Sequence, residues 1–528
     1  MKALIALVAS LTCLPALSQN ELKFLVTFTE RVQEAPARGR LTVYLIKEGD
    51  GLDRADPANA PFFSKPQPMF SIDATGLKPG EVAELNDDNC VFFPVLPSEL
   101  PEGRYRAQAV LDQMNEASSW SYEAGNLYSS SRDAVFEITE RGVIAPVHLT
   151  LDSKTAETEH REGDGLTFIK VKSELLSEFR GRAVYFRAGV VEPIDMEPGR
   201  KYPVVYQVPG FGGTESGAYR VYDRRQKADP DSELGRLARN AYWVVLNPEG
   251  PNGHHLFANS ANNGPVGAAL VEELIPTIDT SFSTIQKSTA RLLRGHSSGG
   301  WSTLWLGITY PDTFGGVWST APDPVDFSSF QAVDIYNDAN MYRYEDTGQV
   351  VWNTSYSDAE GNKGMTILDE NRMEEVIGPD NTSGQQWDSW LAVFGPVSRT
   401  GAPADLYDAM TGEIDSRVVK QFERYDISKK LETDRTTLGP LMKERIRLVV
   451  GDMDNYDLDE AVVKLKSQLD ALTFAEPEGG FAGYIEIVPG ADHGSVFRSP
   501  IVRDFPRQML QMLEENGHVS PANQEGDE

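Results

Sequence analysis

The chain has 528 residues, with 79 Asp and Glu against 49 Lys and Arg and a formal charge of −30. That length exceeds one ordinary core and points to two domains, and a 40% share of hydrophobic residues without a low-complexity tract suits a globular protein. So acidic a surface is repelled by nucleic acid and by anionic membranes, and neither is expected as a partner.

The N-terminal residues MKALIALVASLTCLPALS combine Lys2, an apolar run and the small residues Ala16 and Ser18. This predicts a secretory signal peptide over 1–18, and hence a secreted or periplasmic protein. No later stretch is apolar enough to span a membrane. Removal of the peptide takes Cys13 away and leaves Cys90 alone, which excludes an intrachain disulfide. Cys90 sits in the run CVFFPV and reads as a small core residue.

Residues 19–152 carry short apolar or alternating runs broken by turn residues: KFLVTFTERV, GRLTVYLIKEG, PMFSI, CVFFPVL, GRYRAQAVL, DAVFEITER and PVHLTLD. They predict an immunoglobulin-like β-sandwich. The charged stretch SKTAETEHREGDG, 153–165, reads as a linker, with His160 on its solvated surface. From 166 to 516 the rhythm changes. LTFIKVKS and RAVYFRAGVV lead to YPVVYQV, AYWVVLN, ARLLR, GGVWST, IRLVVG and YIEIV, spaced by helical segments at 265–275, 298–310 and 458–472. Such alternation means a mostly parallel sheet covered on both faces, an α/β fold. The polar, turn-rich stretch 323–441 interrupts it as a cap or substrate-loop insertion, and 517–528 is a polar tail.

The chemistry is carried by GHSSG, a G-x-S-x-G pattern centred on Ser297. Alone the pattern is weak. Here a strand (ARLLR) precedes it and a helix (SGGWSTLWLGITY) follows, the context of a nucleophile elbow, where the glycines permit a sharp turn. A nucleophilic serine needs a base, and only His493 and His518 lie downstream; His493, in PGADHGS after the strand YIEIV, is the better placed. The acid is expected at the end of the preceding strand, in GDMDNYD. Asp454 is favoured, far enough round the turn to reach a histidine on the next loop, with Asp452 as the alternative and Asp457 as the cap of the following helix. The oxyanion donors are expected to be the N–H of Ser298, just after the nucleophile, and that of Phe211 in the turn PGFGGTES after YPVVYQV, or Gly212 if the register slips by one. No metal or cofactor is required. His254 and His255, and the cap aromatics Trp352, Trp387 and Trp390, are candidates to line the substrate pocket.

These residues resemble the esterase D and feruloyl esterase-like group of α/β-hydrolases. The likeness rests on PGFGG, ANNGPVGAALVEELIPTID, RGHSSGGWSTLWLGITYPDTFGGV, GDMDN and PGADHG, and spans about 165–515. It implies a serine esterase acting on a small-molecule or carbohydrate ester, such as a feruloyl or acetyl group on a polysaccharide, through the Ser297, Asp454 and His493 triad. The sequence departs from the group in having Pro209 where many relatives have His, and in its longer cap. A serine peptidase of the prolyl oligopeptidase type shares the triad, but its propeller needs more chain than the N-terminal region offers. A non-catalytic glycan-binding scaffold is the reading from another class. Nothing in the sequence sets the oligomeric state.

Overall fold

A computed structural model describes residues 21–59, 64–130, 134–140, 142–143, 146–474 and 480–521. The expected signal peptide lies outside the described residues, as does the tail beyond 521. Two compact units emerge. One takes its described residues from 1–60, 67–110 and 128–153, the other from 61–66, 111–127 and 154–528. Segment 111–127, which its sequence assigns to the N-terminal domain, therefore belongs to the larger unit.

In the smaller unit, Phe24–Phe28 pairs antiparallel to Ala83–Leu85 and parallel to Val147–Leu151. A second sheet pairs Ala37–Lys47 with Met69–Leu77, and Met69–Leu77 with Val91–Phe93. Strands Phe24–Phe28 and Val147–Leu151 alternate buried and more exposed residues, as strands with one core face must. Phe24 stacks on Phe70 with ring centres 5.5 Å apart, joining the two sheets.

The larger unit is built on eight strands among the described residues: β1 (Leu166–Ser173), β2 (Val184–Val191), β3 (Val204–Val208), β4 (Tyr242–Leu246), β5 (Arg291–His296), β6 (Gly316–Thr320), β7 (Ile446–Gly451) and β8 (Tyr484–Val488). Their spatial order is β1-β2-β4-β3-β5-β6-β7-β8. β2 runs antiparallel to β1 and β4, and every pair from β4 through to β8 is parallel. Parallel strands need crossovers, and the intervening helices cover both faces. That burial is why β4 reads as a continuous apolar run and why β6 and β7 are buried at every residue. The carboxyl ends of β3, β5, β6, β7 and β8 share one edge, where such sheets bind ligands.

The helix expected at 265–275 extends to Ser281, with one wider π turn at Leu270–Leu274. Pro276 has no N–H to give to an i−4 carbonyl, and the wider turn absorbs the loss. Helix Asp459–Asp470 is not capped by Asp457: its N-cap is Leu458, while Asp457 takes a left-handed φ of 54°. His160 is not a solvated residue either. Its ring stacks on Phe168 at 3.9 Å and its Nε2 lies 3.1 Å from Glu215 Oε1, so part of the charged 153–165 stretch packs down.

Between β6 and β7 the insertion forms a hairpin (Arg343–Asp346 with Gln349–Trp352) and the helices Ile367–Ile377, Gln386–Phe394, Ser416–Phe422, Ile427–Thr433 and Arg435–Arg445. Edge-to-face aromatic contacts hold it together, among them Trp387–Trp390 at 5.1 Å and Phe330–Trp390 at 5.2 Å. No helix among the described residues is long and apolar enough to cross a membrane.

Candidate active site

β5 ends at His296 and helix Ser298–Thr309 begins two residues later, so Ser297 must make the whole turn. It does so at φ 57°, ψ −128°, a region that non-glycine residues rarely enter and hold only at a cost of about 1–3 kcal/mol. The surroundings enforce this geometry. Ser297 N–H donates to Thr320 O at 3.0 Å, and Ser297 O accepts from Trp301 N–H at 3.0 Å. The helix behind it is buried from Ser298 to Ile308, anchored by Trp301, Leu304 and Leu306, and each such buried side chain contributes about 1.5–3 kcal/mol. Gly299 is obligatory: a Cβ there would stand 2.1 Å from Val208 O and 2.5 Å from Pro209 O.

The loops after β7 and β8 meet at one contact. His493 Nδ1 lies 2.8 Å from Asp454 Oδ2, with the Asp454 side chain fully buried and that of His493 13% exposed. Asp454 Oδ1 accepts the Tyr456 N–H at 3.0 Å, and Asn455 Oδ1 accepts the His493 N–H at 3.2 Å, so carboxylate and imidazole are both held from behind. Asp452 points elsewhere, accepting the Gly490 N–H at 2.6 Å. Burial opposes charge on His493, but the Asp454 carboxylate, with Asp323 and Asp492 behind it, outweighs that and raises the imidazole pKa above 6.5. The His296 ring packs 4.5 Å from that of His493, and Tyr456 meets it edge-on at 4.9 Å.

Ser297 and His493 line one cavity of about 1130 Å³, together with Gly210, Phe211, Gly212, Asp323 and Trp390. Among the described residues the Ser297 hydroxyl has no hydrogen-bond partner, and the N–H groups of Phe211, Gly212 and Ser298 donate to no protein acceptor. A Cβ on Gly210 would approach Ser297 Cβ and His296 O to 3.1 Å, so the glycine-rich turn after β3 passes directly against the serine. A histidine held by a buried carboxylate, a strained serine and unengaged N–H groups beside it form an arrangement of the kind acyl transfer uses.

Residues 186–399 match the family model described as "Putative esterase". The matched stretch is about two fifths of the chain, and over it the chain is similar to that esterase family. The match supports a carboxylic-ester hydrolase, on the mostly parallel α/β sheet described above. Similar solved structures include a ferulic acid esterase (12% identity, 65% of this chain and 97% of that one, TM-score 0.39). The S-formylglutathione hydrolase of Agrobacterium tumefaciens is another (13%, 67% and 98%, TM-score 0.38). A third is a ferulic acid esterase of Anaeromyces mucronatus (13%, 67% and 92%, TM-score 0.30). No curated protein matches the chain.

Of the other residues expected at the esterase's pocket, only Trp390 lines the cavity, its Nε1–H donating to Asp323 Oδ2 at 2.7 Å. Trp387 is buried inside the cap, and Trp352 sits 43% exposed on the hairpin, away from the cavity lining. His254 and His255 are buried and do not line it. His254 instead supports the glycine-rich turn after β3: its Nε2–H donates to Pro209 O at 3.0 Å while its Nδ1 accepts the Leu256 N–H. Burial drives the His254 pKa down to about 4, which keeps the ring neutral in that role. His518 pairs with Thr289 Oγ1 at 2.8 Å, remote in sequence and role from the triad loops. Among the described residues no His, Cys, Asp or Glu cluster has the form of a metal site.

Two contributors escaped the sequence. Tyr122, from the 111–127 segment, lines the cavity and donates to Gly212 O at 2.7 Å. Asp323 closes the cavity beneath the serine, its N–H lying 3.3 Å from Ser297 O. Burial, eased by hydrogen bonds from Trp390 and Ser298, raises its pKa to about 6. The first gives no sequence signal, because a lone Tyr in a loop is indistinguishable from surface; the second follows β6 and is marked only by that position.

Proposed function

We propose that the esterase is a secreted serine enzyme that cleaves its ester through an acyl-enzyme, with Ser297 as nucleophile, His493 as base and Asp454 as its orienting acid. The reading rests above all on the 2.8 Å contact between His493 and Asp454 in a cavity shared with Ser297. Asp454 accepts the His493 Nδ1–H, which leaves Nε2 as the proton acceptor. On substrate binding Nε2 takes the Ser297 proton and Oγ bonds to the carbonyl carbon. The carbonyl electrons move to oxygen, where the N–H groups of Phe211 and Ser298, with Gly212 beside them, receive the oxyanion. Collapse breaks the bond to the alcohol oxygen, which leaves with the proton from His493. Water, deprotonated by the same histidine, then frees the acid and Ser297. Acyl esters of polysaccharides, feruloyl or acetyl, are the proposed substrate class, with the two-sheet N-terminal unit as an immunoglobulin-like accessory domain.

The test is hydrolysis of short-chain p-nitrophenyl esters, methyl ferulate, acetylated xylan and a peptide anilide by wild type and Ser297→Ala. Ester turnover that disappears in the variant supports the reading. Turnover of the anilide alone, or ester turnover that survives the substitution, refutes it.

A further inference from the structure

Beyond the serine, the same cavity is lined by Arg220, Arg224, Arg225, Arg294 and Arg503, alongside the Trp243 ring. Arg225 is structural, its guanidinium spent on the carbonyls of Val191, Ala238 and Ala241. The other four make no ion pair and no side-chain hydrogen bond among the described residues. In a chain with 79 acidic residues against 49 basic ones, four guanidinium groups without a paired carboxylate in the lining of one cavity run against composition. The acids that line this cavity, Asp323 and Glu370, accept instead from the indole N–H groups of Trp390 and Trp387.

Arg294 is the most exacting of the four. It lies on β5 three residues before Ser297, roughly 10 Å away at strand spacing. Its guanidinium stands over Trp243 at 5.6 Å with no oxygen acceptor. Burial, with repulsion from Arg224, lowers its pKa to about 10. Holding a charge there without a counter-ion is costly, and an oxyanion bound bidentately through two of its oxygens would offset the cost.

We propose that this arginine wall is a subsite for an oxyanion carried by the ester itself, so that the preferred substrate bears a carboxylate or sulfate about 10 Å from its scissile carbonyl. Arg294 receives the anion and Arg220 and Arg224, exposed at the rim, draw it in. The proposal rests on Ser297 being the nucleophile, and the arginines add specificity to that reading.

The experiment compares kcat/KM for mono-p-nitrophenyl suberate with p-nitrophenyl octanoate, and for a matched pair whose carboxylate lies on the alcohol side. A sulfate version of each anionic ester separates a carboxylate substrate from a sulfated one. At least one anionic ester should exceed its neutral partner by about tenfold or more, the worth of one charge-assisted hydrogen bond. The excess should shrink in 0.5 M NaCl, where roughly 4–5 Å of screening length remains. It should vanish in Arg220→Gln/Arg224→Gln, whose neutral-ester rate stays unchanged, and in Arg294→Gln. Equal rates within every pair, or a preference that survives the double variant, overturn the proposal. Suberate binding by calorimetry provides a readout independent of turnover. If no ester is cleaved, suberate binding that is lost in the double variant upholds the subsite while the esterase mechanism falls, and absence of binding overturns both.

Discussion

Replacing Asp454 with Asn keeps the shape of the acid while removing its charge and its ability to fix the His493 tautomer. In the wild type the carboxylate sits 2.8 Å from Nδ1 with its side chain fully buried. With about 4 Å between charge centres and an effective dielectric constant near 20, the pair gains about 4 kcal/mol as the imidazolium forms. At 1.36 kcal/mol per decade that is close to 10³ in rate, and the misplaced tautomer adds to it, so kcat should fall by about 10³–10⁴. Burial then acts on His493 without its main opponent, and the acid limb of the pH profile moves from above 6.5 to below it. The control is Asp452→Asn, which weakens only a 2.6 Å bond from the Gly490 N–H and should leave kcat within about threefold. Steady-state and pre-steady-state kinetics with a p-nitrophenyl ester give both numbers. A loss under tenfold in Asp454→Asn, or an equal loss in Asp452→Asn, refutes the assignment of the acid.

In the wild type, kcat/KM should rise with pH through a midpoint above 6.5, because the base acts only when neutral and its pKa is raised; a pH-rate profile with its midpoint below 6 contradicts this. Gly299→Ala should cost about 3 kcal/mol or fail to fold, since its Cβ meets backbone oxygens at 2.1 and 2.5 Å that cannot move without the β3 end and the oxyanion turn; denaturant titration measures it. Glu370→Gln should stabilise the protein at pH 8 and change little at pH 4. Burial raises the Glu370 pKa from 4.5 to about 7, against bonds from Ser355 and Trp387, so the wild type is relatively most stable below 4.5 and loses that advantage as pH rises through 7. Melting temperatures of both proteins across pH 4–8 test the sign.

The strands and the elbow were legible because they are local. Continuous apolar runs such as YWVVL and IRLVVG can be satisfied only inside a doubly covered sheet, and a strand, a Gly-flanked serine and a helix in immediate succession leave one geometry for Ser297. Chain order then limited the base to His493 over His518. The choice between Asp454 and Asp452 was open in sequence, since two residues of one turn differ only in direction; the fold turns one carboxylate to His493 and the other to the Gly490 N–H. The pocket wall was beyond reach for the same reason. Trp352, Trp387 and Trp390 share a composition but are exposed, packed within the cap and cavity-facing respectively, and which of these each becomes depends on helix packing within the insertion. Tyr122 enters the site from a segment whose neighbours in sequence belong to the other unit. Arg220, Arg224, Arg294 and Arg503 are scattered over nearly three hundred residues of an acidic chain and become one wall only after β5 and the helices beside it have assembled. Sequence by itself determined the α/β class and the strand–serine–helix turn at Ser297, because backbone hydrogen bonding and apolar periodicity are short-range constraints. Tertiary structure alone decided which carboxylate, which aromatic and which cations face the substrate, because those depend on contacts between segments far apart in the chain.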